Sequence, residues 1–156
     1  MTWSNSKMFR AAVADVFDNT TALDLGSDVP KVALYGNTGT PDQNVTSANT
    51  AYNVGQWVTA NEVSQVGQWA AGGVALSGTS LNSASAGIVF YDANDTASGA
   101  AATLANVFGC LVYDDTLTTP VADQGICYNY FGGAQSVTAG TFTVVWNTNG
   151  IWRATL

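Results

Sequence analysis

The chain has 156 residues, 47% of them hydrophobic and only 10% charged, which supplies enough apolar material for a buried core and excludes a disordered chain. Ordinary soluble domains carry roughly 25% charge; here Thr, Ser, Asn, Gln, Gly and Ala take its place, and hydroxyls and amides are buried against a partner at far lower cost than ions. The formal net charge is −7 and the only bases are Lys7, Arg10, Lys31 and Arg153, so the chain lacks the cationic footprint that nucleic acid or an anionic membrane surface requires.

Residues 6–18 read as a short amphipathic helix. Phe9, Val13, Val16 and Phe17 recur at helical spacing, with Lys7, Arg10 and Asp18 off that stripe. Asn5 or Ser6 is the expected cap. A polar loop follows over 19–28, closed by Val29-Pro30. Residues 31–35 (KVALY) form a short β run that stops at Gly36-Asn37-Thr38-Gly39. Residues 40–57 are loop-like, with one helical turn around 47–52. Thr59-Ala60-Asn61-Glu62 has the spacing of a capping box and predicts a helical turn or two ending at Gly67.

From Gln68 the pattern is strands and turns. Residues 73–77 are one strand and 81–83 an extended arm. Residues 87–91 (GIVFY) are apolar on both faces, as a central, doubly covered strand would be. Asp92-Ala93-Asn94-Asp95 is a turn. Residues 104–113 and 125–131 are two long strands, joined by a polar loop holding Asp114, Asp115 and Pro120. Residues 141–146 alternate, with Phe142, Val144 and Trp146 on one face. Asn149-Gly150 signals a hairpin, and residues 152–156 return as the last strand. The expected fold is mainly β: an antiparallel β-sandwich or barrel with a short N-terminal helix and one further helical turn. Residues 1–156 form a single domain, with a helix and arm over 1–30 and a β domain over 31–156. The first sixteen residues carry Lys7, Arg10 and Asp15 without a continuous apolar stretch, so no export signal is expected. No run approaches the length of a transmembrane helix, and synthesis in the cytoplasm without export is the expectation.

The absence of histidine removes Ser-His-Asp and Cys-His arrangements and the one side chain that titrates unperturbed near neutrality. No cofactor or metal site is expected. Cys110 and Cys127 lie outside any CxxC spacing and have no histidine to complete a zinc site. They read as two buried reduced thiols, with a cross-strand disulfide as the alternative. Asp92 with Asp95 and Asp114 with Asp115 sit at strand ends, where aspartate by default bonds nearby backbone amides; a two-carboxylate glycosidase is the rival reading. The cluster Asp92, Asn94, Asp95 breaks off too early for a calcium loop. Gly36/Gly39 and Gly132/Gly133 lack the Lys-Ser/Thr and helix of a phosphate loop and read as turns. Trp146 is expected in the core, whereas Trp152 could face either side of its strand. Trp3 precedes the helix in a segment with little to pack against locally, Trp57 and Trp69 flank the capped turn in loops, and tryptophan is a common interface anchor. With Met8 and Phe9 of the N-terminal segment they are the candidate protein-interface residues. An exposed aromatic platform for carbohydrate is the rival use.

The order of short motifs is similar to that of small virion structural proteins of tailed bacteriophages. The matching elements are Lys31-Val32-Ala33-Leu34, Glu62-Val63-Ser64 with Gly67 and Gly72-Gly73-Val74-Ala75-Leu76, Asp92 to Asp95, Leu111-Val112-Tyr113-Asp114, Asp123 to Gly133 with Phe131-Gly132-Gly133, Gly140-Thr141-Phe142-Thr143-Val144, and Gly150-Ile151-Trp152-Arg153. They cover roughly residues 31–154. The family often has Gly-Tyr after the Glu-Val-Ser element, where this chain has Gly67-Gln68. The resemblance implies a non-enzymatic virion protein, of the capsid decoration (cement) or minor capsid type. Such a protein binds the outer surface of the major capsid protein shell and stabilises it. It also implies a homo-oligomer, a trimer by preference with monomer and dimer left open, on the capsid exterior after assembly in the host cytoplasm. A tail structural protein is the alternative, and a carbohydrate-binding module the second.

Overall fold

The computed structural model describes residues 3–85 and 87–156. In chain order the elements are β1 (Lys7–Met8), α1 (Arg10–Phe17), β2 (Lys31–Tyr35), α2 (Ser47–Thr50), β3 (Val74–Ala75), β4 (Ser80–Ser85), β5 (Ile88–Asp92), β6 (Thr96–Ala97), β7 (Ala102–Tyr113), β8 (Gly125–Gly140), β9 (Thr143–Val144) and β10 (Trp152–Thr155). Two 3-10 turns, Gly55–Trp57 and Thr59–Asn61, follow α2. The fold is mainly β, antiparallel and sandwich-like, as the sequence predicts.

The centre is a five-stranded sheet in the order β1-β8-β7-β2-β3. Successive side chains on a strand point to opposite faces, and in β2 both sets are buried. Val32, Leu34, Cys110, Val112 and Cys127 belong to one core, with Trp69, Leu76, Tyr91, Phe142, Val144 and Ile151. Ala33, Tyr35, Leu111, Tyr113 and Tyr128 belong to a second, with Trp3, Phe9, Ala12 and Trp57. A three-stranded sheet, β10-β5-β4, and a ribbon, β6-β9, supply the first core. The N-terminal segment, α1 and the turn at Trp57 cover the second.

Several local expectations change in tertiary context. The doubly covered strands are β2 and the inner part of β7, not residues 87–91. β5 is central in its own small sheet, but only Tyr91 on it is buried. The helix begins at Arg10 rather than residue 6, because Lys7 and Met8 pair with Tyr128 and Cys127 on β8. Asn5 and Ser6 do not cap it. The Phe9 and Arg10 amides donate to the Ile126 and Gln43 carbonyls at 3.0 and 3.1 Å, and Ser6 Oγ accepts from the Tyr130 amide. Glu62 ends a single 3-10 turn instead of opening a longer helix. Residues 81–83 are part of β4, and the strand expected over 73–77 is only Val74–Ala75.

The closing hairpin does not form. β9 pairs with β6, and β10 with β5. The strand expected over 141–146 shrinks to Thr143–Val144 because side chains take its flanking amides. The Phe142 amide donates to Ser98 Oγ at 2.8 Å and the Trp146 amide to Asp95 Oδ1 at 3.0 Å. At the tight turn, the Asn149 amide donates to Asn147 Oδ1 and the Gly150 amide to the Asn147 carbonyl. Gly150 sits at φ +93°, a conformation open to glycine. This turn carries the chain from the ribbon to the small sheet.

Trp57 organises the second core. Its ring meets Trp3, Phe9 and Tyr35 edge-on and lies tilted beside Tyr128, at centroid distances of 5.0 to 6.0 Å. Trp57→Ala is therefore expected to lower unfolding free energy by about 3–5 kcal/mol in urea denaturation. Val66→Ala, at a side chain 94% exposed, is expected to change it by less than about 0.5 kcal/mol.

Candidate interaction groove

The structure buries four of the five candidate interface residues inside the chain. Trp3, Phe9 and Trp57 are buried in the second core and Trp69 in the first. The Trp3 indole N–H donates to the Gly36 carbonyl at 3.0 Å, and that of Trp69 to the Val32 carbonyl at 3.1 Å. Long-range packing that the local sequence does not display consumes these anchors. They form no exposed platform for a sugar. Met8 alone of the five is half-exposed. Trp146 and Trp152 are partly buried against the first core, Trp146 bonding Thr96 Oγ1 through its indole N–H at 3.2 Å.

Three of the four singled-out acids are engaged within the fold. Asp95 holds the Trp146 amide, and Asp115 pairs with Lys31. Asp114 Oδ1 accepts from the amide and hydroxyl of Thr116 at 2.9 and 2.6 Å, the turn role expected of it. Cys110 and Cys127 are free and buried. Cys110 stands opposite Asn129 and Cys127 opposite Val112, so they are not cross-strand partners. Burial pushes both thiols up, that of Cys127 to about 12, away from the thiolate form that nucleophilic chemistry uses.

Glu62 anchors a polar cluster that the capping-box reading missed. Its Oε1 accepts from the Gly72 amide at 3.0 Å and its Oε2 from the Tyr52 hydroxyl at 2.8 Å. The Tyr113 hydroxyl donates to the Gly72 carbonyl at 2.6 Å, and its ring stacks on Tyr52 at 4.9 Å. Burial raises the Glu62 carboxyl above its usual range while these bonds pull it down, and burial lifts Tyr52 to about 12. Both carboxylate oxygens are bonded inside the chain, so the cluster acts as a clasp for the Gly72-Gly73 turn. The only sequence signal for it is that glycine pair ten residues downstream.

The feature left open to a partner is an apolar groove of about 410 Å³. α1 and its following loop form one wall, with Val13, Val16, Phe17, Leu23 and Leu25. One face of the small sheet forms the other, with Leu81, Val89, Trp152, Ala154 and Leu156. Met8 and Ile126, on β1 and β8, also line it. Thirteen of its fourteen lining residues are hydrophobic, the exception being Asp24. Among the described residues eight large hydrophobics are exposed, and four of them converge here: Val16 at 46%, Phe17 at 84%, Leu81 at 48% and Leu156 at 91%. Exposed apolar surface so concentrated makes the groove the candidate interaction site, whereas scattered single residues carry no such signal. Sequence reading placed Val16 and Phe17 on the helix's buried stripe; the structure buries Phe9 and Ala12 and leaves those two outside.

The loop that forms part of this wall is fastened at Asp28. Asp28 Oδ2 accepts from the Asp24 amide at 2.7 Å, next to Leu23 and Leu25. Burial pushes the Asp114 carboxyl above its usual range, the two Thr116 bonds oppose this, and the neighbouring Asp28 carboxyl raises it further. Burial also raises Glu62 and Asp123. A carboxyl whose pKa is higher in the folded chain holds its proton more tightly there, so its contribution favours folding at low pH. That contribution is lost as pH rises from the usual carboxylate value near 4 through the raised one. Stability measured by urea midpoint is expected to fall as pH rises from about 4 towards 7. Asp114→Asn removes its share, and the slope is expected to become shallower.

Comparison with protein-family models, with curated proteins and with solved structures finds no match to this chain.

Proposed function

We propose that the chain is a non-enzymatic bacteriophage virion structural protein, a capsid decoration or minor capsid protein that docks on the outside of the major capsid shell. The observation that carries the reading is the groove: a concentrated apolar site on a chain otherwise faced with uncharged polar residues. From Gln124 to Trp152 there is no Asp, Glu, Lys or Arg, so β8, β9 and their connections desolvate at low cost when packed against protein. The motif order of residues 31–154, similar to that of phage virion proteins, supplies the particle. The mechanism is mass action. A protein that binds the assembled shell and not its separated subunits shifts the equilibrium towards the shell.

Binding rather than catalysis fits the side chains present. The sequence has no histidine, the thiols are held neutral, and Asp95, Asp114 and Asp115 are occupied by backbone amides and Lys31. A carbohydrate-binding reading loses its basis with Trp57 and Trp69 in the core.

Immunogold labelling of the source particles checks the location. Label distributed over the heads is the expected result, and heads stripped of the protein are expected to break at a lower temperature than decorated ones. Label confined to the tail would establish a tail component instead. Unlabelled particles, or stripped heads as robust as decorated ones, would overturn the reading.

A further inference from the structure

We infer that the groove between α1 and the small sheet receives an apolar segment of a partner protein flanked by lysine or arginine. The proposal deepens the shell-binding reading and rests on it only for the partner being a shell subunit.

The apolar half of the match follows from the lining. Phe17, Leu81 and Leu156 stand exposed around a groove whose remaining walls are also aliphatic or aromatic. Covering large apolar side chains removes their surface from water, which is the main driving force of association, so an occupant with two or three of them has reason to be held.

The charged half follows from the rim. Among the described residues the one charged side chain lining the groove is Asp24, which is exposed. Asp18 immediately follows Phe17 at the end of α1 and is also exposed. Over residues 10–30, which hold α1 and the loop wall, the sequence has Asp15, Asp18, Asp24 and Asp28 against one base, Arg10, which opens the helix and donates to Asn44 Oδ1 at 3.0 Å. Arg153 lies between Trp152 and Ala154, which both line the groove; by strand alternation its side chain points to the opposite face, where it bonds Asn149. A base beside the occupant's apolar residues therefore meets Asp18 and Asp24, neither of which forms an ion pair among the described residues, Asp24 accepting only from the Gly26 amide at 3.0 Å.

The same charges argue against a second copy as occupant. A two-fold contact brings the same patch from both subunits together. It would set Asp18 and Asp24 of one copy against those of the other, on chains each carrying a net charge of −7. Like charges so juxtaposed oppose association.

The test uses the full chain and two fluorescein-labelled peptides with one central Leu/Phe-containing sequence, one flanked by lysines and the other by glutamates. In fluorescence anisotropy at low salt the lysine-flanked peptide is expected to bind about fivefold tighter or more, the scale of two exposed ion pairs. The difference is expected to shrink in high salt. Phe17→Asp, at a side chain that supports no core, is expected to abolish binding of the lysine-flanked peptide without changing the urea midpoint. Asp18→Lys with Asp24→Lys is expected to reverse the preference. Equal affinity for both peptides, binding of neither, or binding unaffected by Phe17→Asp overturns the proposal. Sedimentation showing a dimer that Phe17→Asp dissociates also overturns it, in favour of a second copy. Binding to purified shells separates the two readings. Peptide capture with no shell binding leaves the groove chemistry standing and removes the capsid partner; shell binding indifferent to Phe17→Asp does the reverse.

Discussion

Burial of the central sheet on both faces is the constraint from which the other features follow. On β2 and the inner part of β7, side chains of either parity enter a core, so Val32 and Leu34 need one covering layer and Ala33 and Tyr35 another. The chain supplies two layers of different construction. The small sheets are regular and close over the Trp69 side. The second layer is assembled from irregular pieces: the N-terminal segment, one helix and a single 3-10 turn, joined through Trp3, Phe9 and Trp57. Irregular backbone needs partners for its amides and carbonyls, and aromatic rings with a polar edge provide them. The Trp3 indole bonds the Gly36 carbonyl and the Tyr35 hydroxyl bonds the Trp57 carbonyl at 2.6 Å. Tryptophans that look like interface anchors in the sequence are consumed in making that layer solid.

The few ionic groups work within the same scheme. Glu62 bonds the turn before β3, Asp114 the loop after β7, and Lys31 holds Asp115. Asp15 accepts from Gln124 Nε2 at 2.7 Å and so ties α1 to the start of β8. The Lys31–Asp115 and Asp15–Gln124 pairs join segments distant in sequence, whereas Glu62 and Asp114 fasten local turns. A surface with little charge loses some of the mutual repulsion and hydration that keep proteins apart, which suits repeated close contact with protein.

The groove arises where the two layers stop matching. β1 is two residues long, so the sheet ends at Met8 while α1 continues to Phe17. The first turn of the helix rests on the sheet through Phe9 and Ala12. Its last turn extends beyond it, facing Leu156 and Leu81 of the small sheet across an unfilled gap. Helix length and strand length are both local properties, but the gap is set by their difference.

The sequence by itself determined the mainly β character, the KVALY strand, the two long strands around the polar loop and the short helix. Each rests on local periodicity or turn chemistry that tertiary contacts reinforce. It also determined, through the missing histidine, that arrangements built on an imidazole are absent from this chain. It could not assign strand partners. β9 and β10 are separated by a strong turn signal, yet each pairs with a strand more than forty residues away. Side-chain bonds from Ser98 and Asp95, themselves brought in by the fold, decide that outcome. Nor could it tell a core aromatic from an exposed one. Phe9 and Phe17 lie on the same expected stripe, and only the position of the sheet's edge buries one and leaves the other in solvent. The groove is for that reason a purely tertiary feature: its walls come from residues 8 to 156, and no local pattern records that they meet without filling the space between them.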